Sequence, residues 1–210
     1  MHNCFNILLI LIILHVILLY VIQRITAPVL FIHIPKTGGN SIKQTNFFKR
    51  CKYFGHAHVE KIKHRNMYKY SFAIVRNPYD RLVSAYFYLK KGGENNNGYD
   101  SLMQKKLEKY KDFKDFIKDL KLFTNDLHFK PQHTFVCDSR GKIIVNHILK
   151  VENIDKDFSQ LLRSKWLPNE KLQKINSSKH DDFSNYYDDE IKKHVYAVYK
   201  KDFKLFNYRM

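Results

Sequence analysis

Cysteine is scarce: Cys4, Cys51 and Cys137 are the 3 in a chain of 210 residues. They are too few for a disulfide scaffold and lack the paired spacing of a zinc site. Cys51 and Cys137 stay open between a pair formed in an oxidising compartment and two buried free thiols. Glycine (7) and proline (5) are also scarce, which excludes collagen-like and linker-dominated chains. Acidic residues are outnumbered, 20 against 37 Lys and Arg, leaving a net charge of +17. That excess attracts polyanions such as nucleic acid, anionic lipid, acidic glycan or nucleotide, without choosing among them. A lysine-rich solvated surface is the plainer reading. What is abundant is apolar: 44% hydrophobic and 15% aromatic residues exclude wholesale disorder. No internal repeat and no interior Pro/Gly/Ser linker is visible, so one globular domain is expected.

The first 26 residues stand apart. Phe5–Ile22 reads FNILLILIILHVILLYVI, with no formal charge. At ~1.5 Å per residue this run approaches the ~30 Å of a bilayer's hydrocarbon core. Tyr20 sits near one end, where interfacial rings gather. The expected division is a membrane anchor over 1–26 and a globular domain over 27–210. A cleaved signal peptide is the competing reading, against which Thr26-Ala27-Pro28 makes a poor cleavage site. Arg24 alone on the far flank gives a slight positive-inside preference for a cytoplasmic carboxy-terminal part.

Val29 to Ile34 (VLFIHI) and Tyr70 to Val75 (YSFAIV) are short apolar runs that predict buried strands. Each is followed by a loop and a helical pattern: a start at Ser41 after the first, and Tyr79–Leu89 after the second. Two strand–loop–helix units predict a parallel α/β sheet. Further on, helices are expected within Ser101–Leu122, at Asn153–Arg163 and at Asp188–Lys200. A hairpin is expected over Phe135–Lys150, turning at Asp138-Ser139-Arg140-Gly141, and His33 is expected in the core.

The loop Pro35-Lys36-Thr37-Gly38-Gly39-Asn40-Ser41 falls between strand and helix, where backbone N–H groups and the helix dipole favour an anion. Lys36 offers a point charge, Thr37 and Ser41 offer hydroxyls, and the glycines permit close backbone approach. The order is not that of a Walker loop, since the lysine precedes the glycines. The second unit, Arg76-Asn77-Pro78-Tyr79-Asp80-Arg81-Leu82-Val83-Ser84, places Arg76 at a strand's carboxyl end and Ser84 on the next helix. Two anion sites on one sheet edge suit a nucleotide carrying phosphates at both ends.

The pair HIPKTGGNSI and FAIVRNPYDRLVSAY resembles the sulfotransferases that use 3′-phosphoadenosine 5′-phosphosulfate (PAPS). The variant is more similar to membrane-bound carbohydrate sulfotransferases than to cytosolic small-molecule ones. Softer similarity continues in His128-Phe129-Lys130-Pro131-Gln132, in Val151-Glu152-Asn153 and in the tail from Lys201 to Tyr208, so it spans Val29–Tyr208. The resemblance implies a P-loop-like parallel sheet flanked by helices. It implies that Lys36, Thr37, Gly38, Gly39, Asn40 and Ser41 hold the 5′-phosphosulfate, with Lys36 on the bridging oxygen, and that Arg76 and Ser84 hold the 3′-phosphate. It implies a carbohydrate acceptor, here a polyanionic glycan such as a glycosaminoglycan. No nucleic-acid partner and no metal are expected. It further implies a type II anchor with the domain in the Golgi lumen, against the slight preference carried by Arg24. In-line transfer of the sulfuryl group builds charge on the leaving phosphate, which Lys36 and backbone N–H groups would stabilise.

The acceptor hydroxyl needs a base. His56 in Phe54-Gly55-His56-Ala57-His58 is the first candidate, because a Gly-His element here is similar to the catalytic-histidine region of uronyl 2-O-sulfotransferases. His58 is the second. Asn125–Gln132 resembles a segment of chondroitin/dermatan 4-O-type enzymes, which makes His128 an acceptor contact or a packing residue. Glu152 is open between a site cation's partner and a structural ion pair, and Arg81 between a site charge and a structural one. Asn176-Ser177-Ser178 is the single glycosylation sequon. Two other readings stand beside this one: a phosphotransferase, which would need Walker order, and a non-catalytic polyanion-binding membrane protein.

Overall fold

The structure is a computed structural model that describes residues 2–68, 70–94, 98–173 and 181–210, with the side chains of 2–5, 8 and 23–26 outside that description. The sequon at Asn176 therefore lies outside the described residues, as does the side chain of Arg24. Residues His2–Thr26 form one helix, α1, whose described side chains from Ile7 to Tyr20 are about half exposed. Among the described residues no helix is long and apolar enough to cross a membrane.

β1 (Val29–Ile32) is the first strand of a parallel sheet and every one of its residues is buried. A strand buried on both faces reads as an unbroken apolar run, which is why it was visible in the sequence. α2 (Gly39–Lys43) and a 3-10 turn lead to β2 (Cys51–Tyr53), and β3 (Tyr70–Val75) follows. α3 (Pro78–Lys90), α4 (Gly98–Glu108), α5 (Phe113–Lys118), α6 (Leu120–Phe123) and α7 (His133–Val136) come before β4 (His147–Lys150). α8 (Ile154–Ser164) and α9 (Asp189–Leu205) complete the chain. Strand order is β2-β1-β3-β4, with Val29 opposite both Cys51 and Tyr70, and Phe72 opposite His147. The chain leaves β1 toward one side and returns on the other, so the switch point where α/β sheets bind ligands lies between β1 and β3.

Alternation along the strands splits the core. Val29, Phe31, Phe72 and Ile74 pack with Ile42, Phe47, Phe158 and Leu162 on one face of the sheet. Leu30, Ile32, Ala73 and Val75 pack with Phe135, Val136 and Phe206 on the other. A third, aromatic-rich cluster joins α3 to α5 and α9 through Tyr86, Phe113, Phe116, Tyr199 and Phe203. Burying each such side chain contributes ~1.5–3 kcal/mol before chain entropy is counted.

α3 starts where Asn77 caps it by accepting from the Tyr79 amide, with Pro78 in the first turn, where a missing N–H costs nothing. The expected hairpin over Phe135–Lys150 is reduced to one antiparallel bridge, Cys137 to Ile143, closed by the Asp138–Gly141 turn. The alternating residues after it belong to β4, which pairs parallel with β3 instead. Cys51 and Cys137 are free thiols, and burial pushes that of Cys51 up to about 12.

Candidate active site

The carboxyl ends of β1 and β3 open onto a cavity of about 550 Å³. Lys36 to Ser41 line it from the first loop, Arg76 and Ser84 from the second. At Lys36 (φ 65°) and Gly38 (φ 74°) the loop enters the left-handed region, a backbone form that anion-binding concavities use. A Cβ at Gly38 would meet nothing within 4 Å, so glycine serves the backbone angle there. At Gly39 the reason is space: a Cβ would fall 2.2 Å from the His33 ring.

The hydroxyl of Thr37 donates to the Ile34 carbonyl at 2.9 Å and is fully buried. That bond closes the loop onto the segment that follows β1. The helix after the loop is 5 residues long. The helix dipole is correspondingly small, which leaves the loop's N–H groups and Lys36 as the main sources of positive field there.

Arg76 is braced on several sides. Its guanidinium gives two bonds to Asp80, at 2.7 and 2.6 Å, and a longer one to the Lys36 carbonyl at 3.4 Å. Its backbone N–H and carbonyl are both bonded by the Gln132 amide, at 2.9 and 2.8 Å. Gln132 is in turn held by buried Asp202 at 2.6 Å. A two-pronged carboxylate fixes the plane of a guanidinium and leaves its remaining N–H groups for a phosphate.

Arg81, left undecided by the sequence, is structural. It is 3% exposed and donates to the carbonyls of Pro35, Lys130 and His128 at 2.9, 3.0 and 3.1 Å. It thereby ties the entry of the phosphate loop to the segment carrying His128.

His56 lines the cavity, and its Nδ1 meets the His33 carbonyl at 2.9 Å. A carbonyl only accepts, so Nδ1 carries the proton and the lone pair sits on Nε2. Burial, with smaller contributions from the Lys43 and Arg81 charges, holds His56 below its ordinary 6.5, against the opposing pull of the His33 carbonyl. His33 was expected in the core; it is buried, but as a cavity wall, its ring 4.5 Å from that of His56. Burial, and then the neighbouring His56 imidazole, bring it down to about 2. His128 also lines the cavity, brought down to about 3 chiefly by burial and then by Lys36. Lys36 itself is lowered by burial to about 8.

Two candidates fall elsewhere. His58 bonds the Thr134 carbonyl at 2.8 Å and stacks on Phe135 at 4.6 Å, which pins its turn to α7. Glu152 spends one oxygen on the Asn77 amide at 2.6 Å and the other on the Tyr208 hydroxyl at 2.8 Å. Lys43, Tyr88 and Glu94 were not anticipated, nor the far lining of Val151, Ile154, Asp155, Leu172 and Gln173. Val151 falls in the softer Val151-Glu152-Asn153 similarity and the rest lie outside the motifs; Tyr88 carried a signal, lying one helical turn beyond Ser84. Among the described residues no group of His, Cys, Asp and Glu is placed to hold a metal ion.

Residues 20–209 match the model of the sulfotransferase family, and the chain belongs to that family. Its members transfer sulfuryl groups, generally from PAPS. No curated protein and no solved structure matched the chain.

Proposed function

We propose that the protein is a membrane-anchored, PAPS-dependent O-sulfotransferase acting on a carbohydrate, with an acidic glycan as acceptor. The observation that carries this reading is that Lys36, Arg76 and His56 border one cavity, two cations and an imidazole drawn from three separate stretches of chain. A volume of about 550 Å³ lies in the range of nucleotide-sized ligands. Lys36 and the N–H groups of residues 37–41 would hold the 5′-phosphosulfate, Arg76 and Ser84 the 3′-phosphate. The bond from sulfur to the donor's phosphate oxygen breaks as the bond from the acceptor oxygen to sulfur forms. Nε2 of His56 takes the acceptor's hydroxyl proton, and Lys36 offsets the charge left on the phosphate. The lowered basicity of His56 keeps it in the unprotonated form near neutral pH.

The net charge of +17 suits an acidic acceptor. For the anchor, the support is α1 itself: Leu9, Ile10, Leu11, Ile12, Ile13 and Leu14 are each about half exposed in water, a surface a bilayer would cover. The type II orientation in the Golgi rests on the family resemblance. The test is the full chain in detergent, incubated with radiolabelled PAPS and a panel of desulfated glycosaminoglycans, beside Lys36→Ala and His56→Ala. Label on one glycan, lost in both variants, is the expected result. PAP binding without transfer to any glycan overturns the acceptor class, and no PAP binding overturns the donor.

A further inference from the structure

Lys36 does not stand alone in the cavity. Its ammonium lies 3.7 Å from the centre of the Tyr88 ring. That ring is held from its far end: the hydroxyl donates to Asp100 at 3.0 Å and accepts from the Glu94 amide at 3.1 Å. The His128 ring lies 5.2 Å away, and the Gly93 amide donates to the Tyr88 carbonyl at 2.9 Å. A Cβ on Gly93 would come within 2.1 Å of an Asp100 oxygen, so glycine leaves the room that lets Asp100 reach the hydroxyl. Tyr88 cannot swing away without breaking both hydroxyl bonds.

We propose that Tyr88 is a positioning residue, a fixed aromatic platform on which the Lys36 ammonium rests with its outward N–H groups turned to the donor. This rests on the reading that the cavity takes the phosphosulfate. A ring attracts a cation through its face without neutralising it. A carboxylate in the same place would consume the charge the ligand needs, as Asp80 partly does for Arg76. The platform stays under Lys36 when the ligand binds, so losing it weakens binding, and it does so only through Lys36.

The test is a double-mutant cycle on the full chain in detergent, titrated calorimetrically with 3′-phosphoadenosine 5′-phosphate (PAP). Tyr88→Leu weakens PAP about tenfold, and Tyr88→Phe, which keeps the ring, recovers affinity to within about twofold of the parent. In a Lys36→Ala background Tyr88→Leu changes PAP affinity by less than about twofold. Equal losses in both backgrounds, or unchanged or tighter binding in Tyr88→Leu, overturn the proposal. Tyr88→Met, an unbranched apolar filler, gives the same readings if the leucine variant unfolds. A parent protein that binds no PAP removes the donor reading and this platform together, whereas PAP binding with an additive cycle removes the platform alone.

Discussion

Two parts of the cavity wall are built in opposite ways. The proposed donor end comes from two continuous stretches, Pro35–Ser41 and Arg76–Ser84, each hung on the end of a buried strand. The other part is assembled from single residues that packing brings up beside those loops: His33, His56, Tyr88, Glu94 and His128. A phosphate is recognised by backbone N–H groups and a cation, which a short loop supplies by itself. A neutral base needs a burying wall, a carbonyl to fix its tautomer and nearby charges, and these arrive from separate elements. The donor end should therefore tolerate little local change, while the other end should respond to residues that touch no ligand.

The largest effect is expected at the donor end. Lys36→Ala should lower transfer about a thousandfold, as loss of a charge-stabilising donor does, measured with radiolabelled PAPS. The charge of Lys36 also has a pH signature. Its lowered value of about 8 means it is charged below that pH and neutral above it. Affinity of the free protein for PAP should fall as pH rises through that region, and Lys36→Ala should lack this fall.

At the opposite end, His56→Ala should cost about a hundredfold. The parent's rate should stay level as pH drops through 6.5 and decline only below it, because His56 is depressed and remains an unprotonated base to lower pH. The variant should lose that acid limb.

Arg81→Met sharpens the comparison by joining the two ends. It strands carbonyls of Pro35, Lys130 and His128 in the interior. Thermal unfolding should report a loss of about 3 kcal/mol. The smallest effect is expected at His58→Ala, outside the cavity: transfer within about twofold of the parent, with about 1 kcal/mol of stability lost with its carbonyl bond. A large fall in transfer there would move the base from His56 and erase the distinction between the neighbouring histidines.

The same contrast explains what the sequence disclosed. β1, β3 and α3 were legible because buried parallel strands are unbroken apolar runs and Asn77-Pro78 is a helix start. β2 was not, since three residues, Cys51–Tyr53, carry no period. The hairpin reading failed at β4 because a short strand's alternation does not say which neighbour it pairs with. That Lys36, Arg76 and Ser84 share one cavity was legible from the two motifs at one sheet edge. Thr37 lines the same cavity, and its hydroxyl bond to the Ile34 carbonyl is a contact the motif does not announce. Tyr88 reaches Lys36 through the placement of α3 beside the loop after β1, and Glu152 is engaged by Asn77 and Tyr208, contacts no local pattern announces.

The central claim is that one cavity joins two anion sites suited to a nucleotide with phosphates at both ends. Its most direct test is calorimetric titration of the full chain with PAP and with adenosine 5′-phosphate, which lacks the 3′-phosphate proposed for Arg76. PAP should bind at least about a hundredfold more tightly, in keeping with charge-assisted bonds to a terminal phosphate, and Arg76→Ala should erase most of the difference. Equal affinity for the two nucleotides would contradict the account.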